Sequence, residues 1–353
     1  MKGFFMTKPT FSPDLETGRL SKEDASRYFS VFGFASFALG VINFAMQFLL
    51  VNLCYHFLPG FYHWPLFGSV LIIFTMYGCG LPVFCLILRK LPKIRPVREK
   101  QSFGFIISSL CICFCFLYVG NFFSTYLMYV LEPLMGREII NPVESSMSAM
   151  PLWGTLLFTV ILAPIMEELV FRKLVCDRLL PLGESYAVIL SASLFAVVHG
   201  NFYQLFYAFL IGVCLGYIYV KTGKIGYTIG FHMAINFLFG FATTALRRLL
   251  DMETLNLIME QMMEGTVDPQ QMMDFVQANL IPMLLTSALS FLQYGGWIAG
   301  TILLILFAAK KKFSFEEGIL PPPTDARVSC VFLNPGVAAS IAAFAFLMIY
   351  SLL

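Results

Sequence analysis

Long uncharged apolar runs alternate with short polar segments along almost the whole 353-residue chain. An apolar run of about 18 or more residues is long enough to cross a bilayer as a helix. One run of 35 residues, 186–220, is interrupted by His199, Gly200 and Asn201, and it is expected to supply two helices, at least one of them short or tilted. The pattern predicts an all-α polytopic membrane protein with eight or nine transmembrane helices. The seven clear spans are 29–53, 66–88, 103–131, 147–166, 225–246, 281–309 and 328–353.

Charge composition and charge distribution agree with this class. Only 12% of the residues are charged, whereas soluble domains carry roughly 25%. Lys and Arg are frequent in the arm 1–28 and the loop 89–102, and rare in the loops 54–65 and 132–146. Because cytoplasmic loops are enriched in Lys and Arg, we expect a multi-pass protein of a bacterial cell membrane with a cytoplasmic N-terminus. Membrane lipids are expected partners, and no nucleic-acid partner is expected.

Two polar segments stand out between the apolar runs. Residues 247–280 carry Leu and Met at helical spacing with Gly265 and Pro269 as breakers, which predicts two amphipathic helices at the outer interface. Residues 315–327 form a proline-rich linker. The predicted division is a cytoplasmic arm 1–28, N-terminal transmembrane helices 29–146, a helical core 147–246, an amphipathic Met-rich outer loop 247–280, and C-terminal transmembrane helices 281–353.

The stretch PIMEELVFR places two adjacent carboxylates at the end of an apolar run. A charged group at the bilayer centre costs about 2.5–3.5 kcal/mol on insertion scales, so such residues indicate function. Arg172 follows Glu168 by one helical turn and can pair with it. Glu167 points about 100° away from Glu168. We therefore expect Arg172 to hold Glu168, which leaves Glu167 for another task.

Further polar groups lie in the next two apolar runs. His199 has Phe195 one turn before it, and His232 has Asn236 one turn after it on the same helix face. Two chemistries are open for this predicted buried polar cluster. Glu167, His199 and His232 could ligate a metal. Alternatively, a carboxylate and a histidine could deprotonate a water while a second histidine and an amide stabilise an oxyanion.

These residues resemble the three motifs of the CPBP (Abi) intramembrane protease superfamily, which includes CAAX prenyl endopeptidases and bacteriocin-processing proteins. Glu-Glu-x-x-x-Arg matches Glu167, Glu168 and Arg172, Phe-x-x-x-His matches Phe195 and His199, and His-x-x-x-Asn matches His232 and Asn236. The resemblance covers roughly residues 150–242. All three motifs occur in order and in consecutive apolar segments.

The resemblance implies an endopeptidase, metallo- or glutamate-dependent, that cuts membrane-associated peptides or proteins. It implies that Glu167 and His199 activate water, that His232 and Asn236 stabilise the oxyanion, and that Glu168 and Arg172, with Phe195, support the site. The cofactor is open between a divalent metal such as zinc, held by Glu167, His199 and His232, and none. The alternatives are a non-proteolytic scaffold or bacteriocin-immunity protein of the same fold and, less favoured, a proton-coupled transporter.

Overall fold

The computed structural model describes residues 11–97 and 100–352. The first ten residues of the predicted arm, residues 98–99 of the basic loop and the last residue of the 328–353 span lie outside this part. The described residues form helices and no strand. The helices are α1 (Lys22–Phe57), α2 (Phe67–Leu88), α3 (Phe103–Met135), α4 (Pro142–Ala149), α5 (Leu152–Leu182), α6 (Glu184–Val197), α7 (Phe202–Thr222), α8 (Ile225–Arg247), α9 (Met252–Glu264), α10 (Pro269–Ala309), α11 (Arg327–Phe332) and α12 (Pro335–Tyr350), with a single turn at Pro59–Tyr62.

Seven of these helices are long and apolar enough to cross a membrane: α1, α2, α3, α5, α7, α8 and α10. Helices α6 and α12 are apolar but contain only 14 and 16 residues. The predicted all-α polytopic fold is therefore confirmed within the described residues. The interrupted run 186–220 does supply a short helix, α6, and a longer one, α7. Gly200 turns the chain between them with φ of +67°, a conformation that glycine adopts without a Cβ clash.

Two predicted spans have different ends in the structure. The run 147–166 is divided before Pro151, and the second helix, α5, continues through both glutamates to Leu182. Glu167 therefore lies in the middle of a helix and not close to its end. The hydropathy pattern ends this span at residue 166, just before the two glutamates, because it treats every charged side chain as exposed. The last run is divided as well, because Asn334 caps a new helix that begins at Pro335.

The predicted breakers of the Met-rich segment occupy helix ends. Gly265 ends α9 in the left-handed conformation, and Pro269 begins α10 with Asp268 as its cap. Helix α10 then runs without interruption for 41 residues across the predicted boundary at residue 280. The second amphipathic helix is thus continuous with the following transmembrane helix.

Helix α7 lies at the centre of the bundle. It packs along α3 and α6, while α10 packs on the far side of α3 and α1 packs against α2 and α12. Gly120 of α3 lies against the backbone of Tyr207, where any side chain would collide. Small residues allow this close approach of membrane helices. Helix α5 contacts both α6 and α8, and the Phe195 ring of α6 lies edge-on to the His232 ring of α8, so the three motif-bearing helices are neighbours.

The two ends of the bundle differ in charge. The basic end includes the loops after α2 and α10 with Arg89, Lys90 and residues 310–312. The proline-rich segment also lies there, and it is packed: the Leu320 N–H donates to the carbonyl of Pro181, and the Leu20 N–H donates to that of Pro321. The opposite end, called here the mouth end, contains residues 132–150 and 247–268.

Candidate active site

Glu168 and Arg172 form a sealed ion pair inside the bundle. Both side chains are fully buried, and Arg172 Nε donates to Glu168 Oε2 at 2.8 Å. Arg172 Nη1 also donates to the Ser191 hydroxyl at 3.1 Å, and that hydroxyl donates to the carbonyl of Phe171 at 2.8 Å. Isolated buried charges are very costly, whereas paired and hydrogen-bonded charges are tolerated. The predicted pairing of Glu168 with Arg172 is present, with Ser191 as an additional partner.

His232 lies between the two glutamates. Its Nδ1 is 3.1 Å from Glu168 Oε1, and its Nε2 is 3.6 Å from Glu167 Oε2. Because a carboxylate only accepts hydrogen bonds, the Glu168 contact assigns the proton to Nδ1. Nε2 then faces Glu167, as an acceptor in the neutral ring and as a donor in the cation. The side chain of Glu167 is 19% exposed, so it keeps access to solvent.

His199 presents its second nitrogen to open space. Its Nδ1 lies 2.7 Å from the carbonyl of Phe195, one turn earlier in the chain. That carbonyl can only accept, which leaves Nε2 of a neutral ring unprotonated and available as a base or ligand. The Phe195 ring packs edge-on against both imidazoles, with centroid distances of 5.0 Å to His199 and 5.8 Å to His232. Phe195 thus fixes the spacing of the two rings.

Asn236 lies one turn after His232, with its amide nitrogen directed at α5. Asn236 Nδ2 donates to the carbonyl of Thr159 at 2.9 Å. This bond ties α8 to α5 in a stretch where both helices widen into π-helical turns, Leu156–Leu162 and Asn236–Phe241. Such widened turns are often found at functional sites. One of the two N–H groups of the amide is used in this bond, and the other can serve a ligand.

The polar groups face a cavity of about 900 Å³ that reaches the mouth end. Its inner part is lined by Glu167, His199, His232 and Asn236, and its outer part by Glu144, Arg247 and Arg248. Glu144 and Arg247 form an ion pair, and Arg248 donates to the carbonyls of Met147 and Met150. A segment of peptide fits a space of this size.

The predicted site residues do not all touch one another. Glu167 meets His232 and has no direct hydrogen bond or ion pair to His199 within the described residues. The two side chains instead face the same cavity. Ser191 and Thr159 are contributors that the motifs do not include. Ser191 precedes Phe195 by one turn and Thr159 precedes Glu167 by two turns, so helical spacing places them on the same faces.

Comparison with known proteins finds a family model whose matched segment includes these residues. Residues 149–238, 90 of the 353 residues, match the family model described as type II CAAX prenyl endopeptidase Rce1-like. The matched segment contains all seven motif residues. The resemblance to the CPBP family is confirmed. The chain is also similar to a Bacillus subtilis protein named "Putative membrane peptidase YdiL", with 28% identity over 170 residues, which is 46% of this chain and 67% of the relative. No solved structure matches the chain significantly.

The metal ligands that the CPBP resemblance implies are present as residues but are not grouped as a ligand set. Among residues 11–97 and 100–352, no three His, Cys, Asp or Glu side chains lie close enough together to hold one ion. The donor types of Glu167, His199 and His232 suit zinc, and the hydrogen bonds at Nδ1 of both imidazoles leave each Nε2 free to ligate, but the three side chains do not converge on one point. The observed spacing therefore does not fit a bound metal.

Proposed function

We propose that this chain is an intramembrane endopeptidase that hydrolyses peptide bonds of membrane-associated peptides or proteins with a water activated by Glu167 and His199. The observation that carries the proposal is the contrast between two adjacent carboxylates. Glu168 is fully buried and bonded to Arg172, whereas Glu167 lines the cavity beside two imidazoles. A carboxylate that is not held by a guanidinium and that faces a cavity is suited to act as a general base.

The first chemical step is attack of water on the scissile carbonyl. A water held between Glu167 and Nε2 of His199 transfers a proton to the carboxylate, and its oxygen bonds to the carbonyl carbon. The separation of the two side chains leaves room for this water, since they share a cavity without touching. The proton then moves to the amide nitrogen, the C–N bond breaks, and the products are a carboxylic acid and an amine.

The negative oxygen of the tetrahedral intermediate needs hydrogen-bond donors. Asn236 retains one N–H that is not used in its bond to Thr159. His232 is the second proposed donor, because the doubly protonated ring carries an N–H at Nε2, the nitrogen that faces Glu167. Removing a single donor of this kind typically lowers kcat about 10²–10³-fold.

The distribution of charged residues extends the proposal to the orientation in the membrane and to the route by which substrate enters. The basic end carries the loops rich in Lys and Arg, so the positive-inside rule assigns it to the cytoplasm together with the N-terminus. The mouth end then faces outward, and peptides enter the cavity between α4 and α8. A bacterial cell membrane and its lipids are the proposed environment, and residues 147–246 are the proposed catalytic core.

A proton-coupled transporter is the alternative that the cavity bears on directly. Alternating access requires a route to both ends of the bundle. Within the described residues, the lining of this cavity runs from the glutamates to the mouth end and includes no residue of the basic end. Because a transporter in a single state also opens to one end only, peptide cleavage, and not this cavity, distinguishes the two functions. A non-proteolytic scaffold of the same fold needs neither the cavity nor the unpaired carboxylate.

The test is peptide cleavage by the purified protein in detergent or nanodiscs. Apolar membrane peptides are incubated with wild type, Glu167→Gln and His199→Ala, and products are identified by mass spectrometry. Cleavage by wild type that is lost in both variants supports the assignment. Full activity in both variants overturns the catalytic roles, and retention of a biological effect by Glu167→Gln supports a scaffold.

A further inference from the structure

The turn between α6 and α7 holds an amide network beside the proposed water site. Asn201, only 7% exposed, is the N-cap of α7, and its Oδ1 accepts from the backbone N–H of Gln204 at 2.9 Å. Its Nδ2 donates to the carbonyl of His199 at 2.9 Å and to Gln204 Oε1 at 2.9 Å. One buried amide therefore connects the backbone of His199 with the side chain of Gln204.

This network fixes which way each amide points. The carbonyl of His199 can only accept and the backbone N–H of Gln204 can only donate, so the orientation of Asn201 is determined. Because Asn201 Nδ2 faces the end of the Gln204 side chain, the atom it meets must be the oxygen. The Gln204 nitrogen is turned away, within hydrogen-bonding reach of the hydroxyl of Tyr207 in the same cavity. A primary amide nitrogen carries two N–H groups, so one of them is left for another acceptor.

We propose that Gln204 binds substrate by donating a hydrogen bond from Nε2 to a main-chain carbonyl of the peptide, and that Asn201 is the positioning residue that holds this amide as a donor. The inference rests on the proposed peptidase function and deepens it. Glu167 offers the cavity only acceptors, and one N–H of Asn236 is bound to Thr159. Gln204 lines the cavity and is joined to the carbonyl of His199 through Asn201, so a peptide carbonyl near His199 lies within reach of this donor.

Helix capping is the other role that Gln204 can have. A glutamine three residues after the N-cap can stabilise the first turn of a helix, and this role uses only its side-chain oxygen. Glutamate at the same position keeps an acceptor for Asn201 and loses the donor. Methionine removes both at nearly the same volume. The pair Gln204→Glu and Gln204→Met therefore separates capping from substrate binding.

The experiment measures KM and kcat for a cleaved apolar peptide, together with thermal unfolding. Both Gln204 variants are expected to raise KM about ten-fold, the size of one lost hydrogen bond, with kcat changed less than KM. Gln204→Glu is expected to unfold at the wild-type temperature. Unchanged KM in both variants overturns the inference, as does a KM increase that appears only in the destabilised variant.

A thioamide scan of the peptide locates the carbonyl. Sulfur accepts hydrogen bonds more weakly than oxygen, so one thioamide position is expected to raise the wild-type KM. The same position is expected to have no further effect in Gln204→Met. If the thioamide raises KM by the same factor in wild type and in Gln204→Met at every position, Gln204 does not bond directly to a peptide carbonyl.

Asn201→Asp tests the positioning role, with Asn334→Asp as the matched control. Aspartate keeps the cap but cannot donate, so the Gln204 amide is expected to reverse and present its oxygen to the cavity, which raises KM. Asn334 is the N-cap of α12, with Nδ2 bonded to two carbonyls and Oδ1 accepting from Val337, away from the cavity. Its variant loses the same kind of bonds and is expected to keep the wild-type KM. Equal KM in both variants overturns the role of Asn201.

Binding of the intact peptide to the inactive Glu167→Gln protein separates the two proposals. Affinity that falls about ten-fold when Gln204→Met is added supports the inference without any turnover. Cleavage by wild type with unchanged affinity overturns only the inference. Absence of both cleavage and binding overturns the proposed function and the inference with it.

Discussion

The polar cluster has a sealed half and an open half, and the two glutamates at its centre belong to different halves. Glu168 is fully buried and is bonded to Arg172 and His232. Glu167 is the next residue in the chain, yet its side chain is 19% exposed and its nearest partner, Nε2 of His232, is 3.6 Å away. That distance is longer than a good hydrogen bond.

The difference follows from direction around one helix. Successive residues of a helix point about 100° apart, so Glu168 faces His232 of α8 and Glu167 faces the cavity. The sealed carboxylate is paired with Arg172, and its contacts join α5 to α8 directly and to α6 through Arg172 and Ser191. Among the described residues, the open carboxylate forms no ion pair with an arginine, and it lines the cavity. The same side chain thus serves stability in one position and the proposed chemistry in the next.

The largest contrast is expected between Glu167→Gln and Glu168→Gln. Loss of a general base typically lowers activity 10²–10⁴-fold, so Glu167→Gln is expected to lower the cleavage rate by about 10³-fold while unfolding as wild type. Glu168→Gln leaves the buried guanidinium of Arg172 without its counter-charge and is expected to cost about 3 kcal/mol of stability or more. Cleavage rates and thermal unfolding of the two variants measure this contrast. Similar profiles for both would contradict the division into two halves.

Substitution of Arg172, the cation of the buried ion pair, is a second test of the sealed half. Arg172→Met leaves the buried Glu168 carboxylate with only the His232 imidazole as a partner, which is expected to cost about 3–5 kcal/mol. The double variant Glu168→Gln/Arg172→Met carries no buried charge at this pair and is expected to be more stable than Arg172→Met alone. Unfolding measurements on the two single variants and the double variant give the coupling. If the double variant loses the sum of the two single losses in free energy of unfolding, Glu168 and Arg172 do not stabilise each other.

A smaller effect is expected at Ser191, which supports Arg172. Ser191→Ala removes a buried hydrogen bond to a charged donor, and we expect a loss of about 2 kcal/mol with little change in kcat. Ser193→Ala is the matched control, because that hydroxyl bonds only to Ile189 of its own helix. Equal unfolding temperatures for the two variants would show that Ser191 does not hold the arginine.

The smallest effect is expected for an exposed ion pair at the basic end. The pKa of Glu317 is lowered mainly by hydrogen bonds from Arg19, with Arg327 also contributing. A carboxyl with a lowered pKa adds stability above its unfolded pKa, and the contribution is lost as the pH falls through its folded pKa. Wild type is expected to unfold at a slightly higher temperature than Glu317→Gln at about pH 7, and the difference should be smaller at about pH 3, below the ordinary glutamate pKa of about 4.3.

The neighbouring substitution Glu316→Gln serves as the control for this pH effect, since the Glu316 carboxylate forms no ion pair within the described residues. It should shift unfolding equally little at both pH values. A pH-dependent difference as large as that of Glu317→Gln would assign the effect to general surface charge. A Glu317 effect as large as that of Arg172→Met would remove the distinction between exposed and sealed pairs.

Much of the fold and the motif residues could be predicted from the chain because apolar length and helical spacing are local properties. The short helix ending near His199, the pairing of Glu168 with Arg172 and the breaks at Gly265 and Pro269 are all set by residues a few positions apart. The span ends at residue 166 and within 328–353 could not be predicted by hydropathy. There a buried ion pair lets a helix continue, and a cap divides another.

Contacts between helices could not be predicted from apolar length and helical spacing. Spacing suggests that Glu167 and His199 belong to one site, but it gives no indication that His232 lies between the glutamates or that Asn236 bonds to Thr159. These contacts join residues 64 or more positions apart in the chain. They depend on how α5, α6 and α8 cross, and close helix packing of this kind is set by many small contacts together.

The sequence alone determined the membrane class of the protein, the helix faces that carry its polar residues and the resemblance to CPBP proteins. Only the tertiary structure decided that His232 lies between the two glutamates, which imidazole nitrogens are free and that the Gln204 amide offers a donor to the cavity. The physical reason is that burial and hydrogen-bond direction are properties of assembled helices. A residue on one helix acquires them only when its neighbours on other helices take up their positions.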